Sequence, residues 1–335
     1  MTMNKLVVWF QENYPENVSH MQESDHHFDY PEGDFSLNPY HLEGDVWTHT
    51  MMVCKMAEQY DECVQLAALL HDIGKPLCRE AVEKTKRVRF FSHEAVSAFM
   101  ALDILKDLDV PPYESRLIFQ MIAMHTEPFK LTPKQLSERM VANPELYDKL
   151  IALSTADREG RFFSHEEVVP IFPAPPNRIF DVSKVREAVV MIGLPCSGKS
   201  TYIKQNLPDH AVLSRDSFVE ELGTGDTYTQ KWASVDQKAV TRLEQIRKTE
   251  LVKAHKNFVA DMTHMSKKSR RRILSQLDKS WHKKAVVLLP PMSVIHQRNA
   301  ERTGKVLTPD VFEFMIKSFY PPLYDEFDEI VWELS

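Results

Sequence analysis

The chain has 335 residues, 43% of them hydrophobic, enough to bury a core in each of two domains. Its formal net charge of -7 is uneven: residues 1–182 carry 17 basic against 29 acidic side chains and the remainder 24 against 19, so an acidic half precedes a basic one. Four cysteines without a C-x-x-C pair, and an N-terminal apolar run confined to residues 6–10, argue against a disulfide scaffold, a signal segment or a membrane span, so a cytoplasmic protein with no membrane partner is expected.

Nine of the 14 histidines fall in the acidic half, which suggests a metal centre there and a polyanionic partner for the other half, with surface solubility the alternative reading of the charge asymmetry. Residues 11–45 are polar, rich in Pro and Gly, and contain His20, Gln22, His26, His27 and His41; the pattern predicts a long ordered loop or a solvated lead-in. Asp45 can cap a helix in which Val46, His49, Met52, Val53 and Met56 share one face at spacings of three and four. His49 thus sits among apolar neighbours. The apolar run 63–70 predicts a second helix, stopped by Gly and Pro in His71-Asp72-Ile73-Gly74-Lys75-Pro76. Hiding a carboxylate beside an imidazole is costly unless a positive charge compensates, and a metal ion does so most simply. His93, His125 and Asp157 follow at wide spacing, each within or beside an apolar helical pattern. One such histidine reads more readily as part of a core, but the series His, His-Asp, His, His, Asp does not.

This half, from about residue 20 to 165, resembles the HD phosphohydrolase superfamily, whose ligands come in this order, and Leu42-Glu43-Gly44-Asp45-Val46-Trp47-Thr48-His49-Thr50 looks like its lead helix. The resemblance implies an all-α fold and metal-dependent phosphoester hydrolysis. His49, His71, Asp72 and Asp157 would hold one ion, and His93 and His125, with Asp72 bridging, a second. Two divalent ions would polarise the phosphoryl oxygens and activate water. Lys75 would contact a phosphate, or else be a solvated lysine beyond the helix. Four imidazoles and two carboxylates suit one or two ions of Mn, Fe, Co, Ni or Zn better than Mg.

Pro170-Ile171-Phe172-Pro173-Ala174-Pro175-Pro176 cannot continue a helix, which places a linker at 170–184 between domains at 1–169 and 185–335. Beyond it, apolar strand candidates at 188–192, 211–214, 257–261, 285–290 and 329–334 alternate with helical patterns and predict a parallel sheet covered by helices. The first candidate runs into Gly193-Leu194-Pro195-Cys196-Ser197-Gly198-Lys199-Ser200, which fits the phosphate-cradling pattern G-x-x-x-x-G-K-[ST] at every fixed position. Its glycines let backbone N–H groups converge, and the helix that follows adds its positive end. Lys199 would reach the outer phosphates and Ser200 would hold Mg2+, so a nucleoside triphosphate such as ATP is the expected ligand.

Ser214-Arg215-Asp216 sets a carboxylate at the end of the second strand, where Asp216 either takes the proton of an attacking hydroxyl or caps the next helix. The third strand ends in Asp261-Met262-Thr263, after which Ser266 can cap a helix carrying Lys267, Lys268, Arg270, Arg271 and Arg272. That run suits a phosphodiester backbone or a plain solvated face. Arg298 and Arg302, one turn apart, would close over the triphosphate or form surface salt bridges; Gly304 would end their helix and Thr308-Pro309 begin another.

Residues 185–335 resemble the polynucleotide 5'-hydroxyl kinases in the phosphate loop, Ser214-Arg215-Asp216, Asp261-Met262-Thr263 and Arg298-Asn299-x-x-Arg302. The resemblance implies Gly193, Cys196, Ser197, Gly198, Lys199, Ser200, Thr201 and Arg302 at the nucleotide, Asp216 as general base and Arg298 with Arg302 on the donor phosphates. Asp261, Thr263 and Arg215 would line the acceptor region. Joined, the halves look like the bacterial bifunctional end-healing enzymes, in which an HD phosphoesterase precedes a P-loop kinase. That implies hydrolysis of 2',3'-cyclic phosphate and 2'-phosphate ends and phosphorylation of 5'-hydroxyl ends, of RNA or DNA, with sealing left to a separate RNA ligase because no K-x-D-G motif is present. A small-metabolite kinase fused to an HD nucleotidase, or a nucleotide-sensing regulatory protein, would share these motifs and stays open.

Overall fold

The computed structural model describes residues 1–29, 35, 36, 38, 40–162, 170–181, 183–303 and 305–334, and divides into two units, Met1–Asn177 and Arg178–Ser335. Gly304 lies outside the described residues, and the helix it was expected to end, Met292–Ala300, stops before it.

The first unit is mostly helical. Met3–Asn13 and Pro15–Glu23 are helices, so the loop expected from residue 11 begins only after Glu23. Pro15 occupies a first helical position, where its missing N–H is no loss, and Met3, Leu6, Phe10, Val18 and Met21 form a buried stripe that the polar composition disguises. Five further helices frame the interior: Val46–Ala57, Glu62–Leu70, His93–Asp107, Pro112–Met124 and Pro144–Glu159. Asp45 caps the first by accepting from Thr48 N, as expected, and Asp61 caps the second from Cys63 N and Val64 N. Val64 and the stretch Leu66 to Leu70 are buried on every side, which makes Glu62–Leu70 the central helix and carries its C-terminal end, His71-Asp72, into the interior. The all-α expectation needs one amendment. Two short antiparallel ribbons, Phe28–Asp29 with Phe35–Ser36 and Arg79–Val82 with Arg87–Phe90, interrupt the helices. The Pro-rich segment is tied to this unit: the carbonyls of Pro173, Ala174 and Pro176 accept from Tyr147 Oη, Ser137 Oγ and Ala142 N.

The second unit is a five-stranded parallel sheet in the order Ala211–Ser214, Phe258–Asp261, Arg186–Ile192, Trp281–Leu288, Glu329–Glu333. Its central strand is fully buried from Ala188 to Ile192, the continuous apolar run expected of a parallel strand covered on both faces. Ser214 pairs in register with Asp261, so both chain segments leave the sheet at the same carboxyl edge as the phosphate loop. Helix Lys267–Leu274, capped by Ser266, corrects the reading of its charge run. Arg270 is fully buried, pairs with Glu326 at 2.7 Å and donates to the carbonyls of His264, Met265 and Tyr320, so it ties the fold together instead of meeting a polyanion. Lys267 pairs with Asp325, while Lys268, Arg271 and Arg272 face solvent.

Among the described residues no helix is long and apolar enough to cross a membrane. All four cysteines are free.

Candidate functional site

The end of the central helix delivers His71 and Asp72 to a point that four other elements reach. His49 comes from Val46–Ala57, His93 opens His93–Asp107, His125 directly follows Pro112–Met124, and Asp157 lies in the last turn of Pro144–Glu159. Asp72 Oδ2 stands 3.1 Å from His71 Nε2 and 3.6 Å from His49 Nε2, while its Oδ1 stands 3.3 Å from His93 Nε2 and 3.6 Å from His125 Nε2. Asp157 Oδ1 approaches His49 Nε2 at 3.2 Å. The two oxygens of one carboxylate therefore face two groups of imidazoles.

Backbone carbonyls fix the tautomers. His71, His93 and His125 each place Nδ1 at 2.7–2.8 Å from a carbonyl, that of Ala68, Phe90 and Ile122 in turn. A carbonyl only accepts, so the proton resides on Nδ1 and the Nε2 lone pair points inward. His49 Nε2, His71 Nε2 and Asp72 Oδ1 are buried without a hydrogen-bond partner. Buried polar atoms left without a partner are expensive in a core, whereas a divalent ion of the first transition series takes this donor set readily. The residues fit such an ion. Burial pushes His125 down to about 3, with His93 and His71 adding to it. Burial would lower His49 too, but Asp157 and Glu43 raise it to about 8. Against the pull of burial, His71 and Lys75 hold Asp72 well below the usual carboxylate range, and His49 and Arg161 do the same for Asp157.

Lys75 is not a solvated lysine. It is 6% exposed, with Nζ 2.7 Å from Asp72 Oδ2 and 3.0 Å from His26 Nε2. His26, His41 and Glu43 received no role from sequence alone, yet all three border the cluster. His26 stacks on His41 with ring centroids 4.2 Å apart, and Glu43 Oε1 lies 2.8 Å from His41 Nδ1 and 3.0 Å from His49 Nδ1. Glu43 thus backs His49 as a charged contact at ion-pair distance, where a carbonyl backs each of the other rings. Glu43→Gln is expected to weaken metal binding by about 10- to 100-fold, as loss of a partner behind a ligand does, read by competition with a coloured chelator. Unchanged affinity would mean that Glu43 does not orient His49.

In the second unit the phosphate loop is shaped by its glycines. A Cβ on Gly193 would meet the Leu288 carbonyl at 2.6 Å, and Gly198, with φ +100°, turns the chain into helix Lys199–Asn206. Lys199 Nζ donates to the Gly193 and Leu194 carbonyls at 2.9 and 2.7 Å, and burial pushes it down to about 8. Ser197 Oγ is 3.5 Å from the same Nζ, and Ser200 Oγ donates to Asp261 Oδ2 at 3.1 Å. Burial raises Asp261 above the ordinary carboxylate value. Arg298 Nη1 donates to the Cys196 carbonyl at 3.2 Å, and Arg302 Nη1 approaches Cys196 Sγ at 3.6 Å, so both guanidinium groups reach the loop. Thr201 is exposed in the first turn.

Asp216 is the second residue of helix Arg215–Leu222, whose cap position is Ser214, so the capping alternative does not hold. Its carboxylate accepts from Tyr228 Oη and Lys305 Nζ, each at 2.6 Å. Burial acts to raise it, but Lys305 and Tyr228 hold it below its ordinary value. Of the residues expected near the acceptor, Arg215 turns elsewhere, while the backbone of Thr263 stays beside the phosphate loop. Arg215 donates to Gln237 Oε1 at 2.8 Å and pairs with buried Glu244 at 3.4 Å, and Thr263 offers its backbone carbonyl to Gly193 N at 3.0 Å.

Residues 46–159 match the family model of the HD domain, and residues 189–322 match that of the AAA domain. The chain joins an HD domain to a P-loop, kinase-like domain. Among curated proteins it is similar to the CC-adding tRNA nucleotidyltransferase of Thermus thermophilus, 30% identical over 33% of this chain and 27% of that protein. It is also similar to the CRISPR-associated endonuclease Cas3-HD of Pyrococcus furiosus, 28% identical over 42% of this chain and 64% of that one. The chain thus spans less than two thirds of the length of these relatives. Solved structures that overlap it include an unliganded sugar kinase from Janibacter sp. HTCC2649, with 17% identity, a TM-score of 0.32 and coverage of 44% of this chain and 84% of that one. A Pnkp1/Rnl/Hen1 complex overlaps with 18% identity, a TM-score of 0.30 and coverage of 43% and 48%.

Proposed function

We propose that the protein heals broken nucleic-acid ends, chiefly of RNA: the HD domain hydrolyses a 2',3'-cyclic phosphate or 2'-phosphate, and the P-loop domain phosphorylates a 5'-hydroxyl. The observation that carries the reading is Asp72, one buried carboxylate with an oxygen turned to each of two imidazole groups. His49, His71, Asp72 and Asp157 would hold one divalent ion and Asp72, His93 and His125 a second. Such ions supply Lewis-acid polarisation and lower the pKa of water. The chain's own part is to keep Nε2 of His71, His93 and His125 unprotonated through their Nδ1 contacts to carbonyls and to place Lys75 where an ammonium can meet a phosphate oxygen.

At the other site Lys199, Arg298 and Arg302 would cradle the triphosphate of ATP or another NTP, and Ser200 with Asp261 would hold Mg2+. Asp216 would take the proton of the 5'-hydroxyl as its oxygen bonds to the γ-phosphorus and the nucleoside diphosphate leaves. A carboxylate of depressed pKa suits this step, because phosphoryl transfer needs an oriented nucleophile more than a strong base. Nucleic acid as substrate is supported by Lys268, Arg271 and Arg272, exposed on the helix that follows Asp261 at the carboxyl edge of the sheet, and by relatives named as a tRNA nucleotidyltransferase and a CRISPR-associated endonuclease. Sealing would fall to a separate ligase.

Acceptor competition tests the kinase half. A single-stranded 5'-hydroxyl oligoribonucleotide should be phosphorylated in preference to nucleosides or sugars, with efficiency falling as salt rises. Preference for a sugar, or no salt dependence, would return the domain to metabolite chemistry.

A further inference from the structure

Helix Tyr228–Ser234 buries none of its residues, yet it is firmly placed. Thr227 and Gln230 close a capping box at its start, Thr224 N donates to Ser234 Oγ at 2.8 Å, and Lys231 pairs with Glu220. Polar contacts thus hold a helix that still displays two aromatic rings. Tyr228 and Trp232, one turn apart, stack with centroids 6.2 Å apart and planes 29° from parallel, and Trp232 is 44% exposed. Among the described residues Trp232 is the most exposed tryptophan, and its stacking partner Tyr228 contacts Asp216. Tyr228 Oη donates to Asp216, while Lys305 Nζ lies 3.8 Å from the centroid of the Tyr228 ring and 2.6 Å from Asp216 Oδ2.

A packed core would hide such rings, and a solvated helix would not need them. An exposed ring, Trp232, backed by Tyr228, which in turn carries a cation, is what an unpaired base and its backbone phosphate engage, Trp232 taking the base by stacking and the Lys305 ammonium taking the charge. We propose that Tyr228 and Trp232 form a stacking platform for an unpaired base at the 5' end of the acceptor strand, with Lys305 drawing its phosphate and the 5'-hydroxyl set at Asp216. The inference rests on the strand-end reading above and sharpens it: the preferred acceptor is a single-stranded end, and a substrate without a base binds poorly.

Steady-state kinetics with a single-stranded 5'-hydroxyl oligoribonucleotide and ATP, run on full-length wild type, Trp232→Ala and Trp232→Phe, test it. Trp232→Ala should raise KM for the strand about tenfold to a hundredfold, Trp232→Phe should restore most of the loss, and KM for ATP should stay put. A strand KM unmoved in Trp232→Ala overturns the platform. So does a rise confined to ATP, which would give the ring to the donor's base. If wild type phosphorylates no strand at all, the strand-end reading itself fails and takes the platform with it.

Discussion

Asp72→Asn is expected to strip the HD domain of metal and to cut phosphoester hydrolysis by more than about 100-fold, because loss of a partner behind a ligand already costs about 10- to 100-fold and Asp72 faces every imidazole of the centre. The replacement keeps the shape and removes the charge. An amide offers one oxygen and a pair of N–H donors, so it cannot present an oxygen to His49 and His71 on one side and to His93 and His125 on the other. It also leaves Lys75 without the carboxylate at 2.7 Å that offsets its burial. Metal content of the purified variant, measured beside hydrolysis and thermal unfolding, separates loss of the centre from loss of the fold. Full metal occupancy with full hydrolysis in Asp72→Asn would remove Asp72 from the site.

The second large effect belongs to Lys199. Lys199→Ala should lower the phosphorylation rate by about 100- to 1,000-fold or more, the range seen when one preorganised charge-stabilising donor is removed, while hydrolysis by the HD domain continues. Burial pushes this ammonium down to about 8, so its charge is poorly supported by the protein alone, and its hydrogen bonds run to uncharged groups of its own loop. A triphosphate is the natural counter-charge for it. Lys199→Arg is a poor substitute, since a planar fork does not fit a socket built around a point charge between the Gly193 and Leu194 carbonyls. Phosphorylation surviving in Lys199→Ala at the wild-type rate would mean that the loop does not bind the donor.

The sequence was most informative where chemistry is local. The phosphate loop is one uninterrupted octapeptide, and its strand and helix carry their own periodicities, so strand, loop and helix were legible together. The central strand was legible for the same reason: a parallel strand covered on both faces is written as an unbroken apolar run, as in residues 188–192, and the half-buried edge strands showed as shorter apolar runs. The metal residues were legible only as an ordered series, since nothing in a linear spacing says that helices from residue 46 to 159 meet at Asp72.

What escaped was what depends on a neighbour far along the chain. His26, His41 and Glu43 lie in a segment without helical or strand period, so their approach to His49 and Lys75 left no mark. Arg270 reads as one charge in a basic run, but its partner Glu326 lies 56 residues away and turns it into an interior tie. Arg215 sits next to Asp216 in sequence and points to Gln237 and Glu244, because adjacent helix positions face different ways. The helices before residue 24 were hidden by a polar composition whose apolar minority falls on one stripe.

The most direct measurement follows both ends of one RNA strand that carries a 5'-hydroxyl and a 2',3'-cyclic phosphate, with ATP, Mg2+ and a panel of Mn, Co, Ni and Zn, for wild type, Asp72→Asn and Lys199→Ala. Wild type should change both ends, Asp72→Asn only the 5' end, and Lys199→Ala only the cyclic phosphate. Neither end changing with folded, metal-loaded wild type, or either variant losing both activities at once, would contradict a protein with two separable end-healing chemistries.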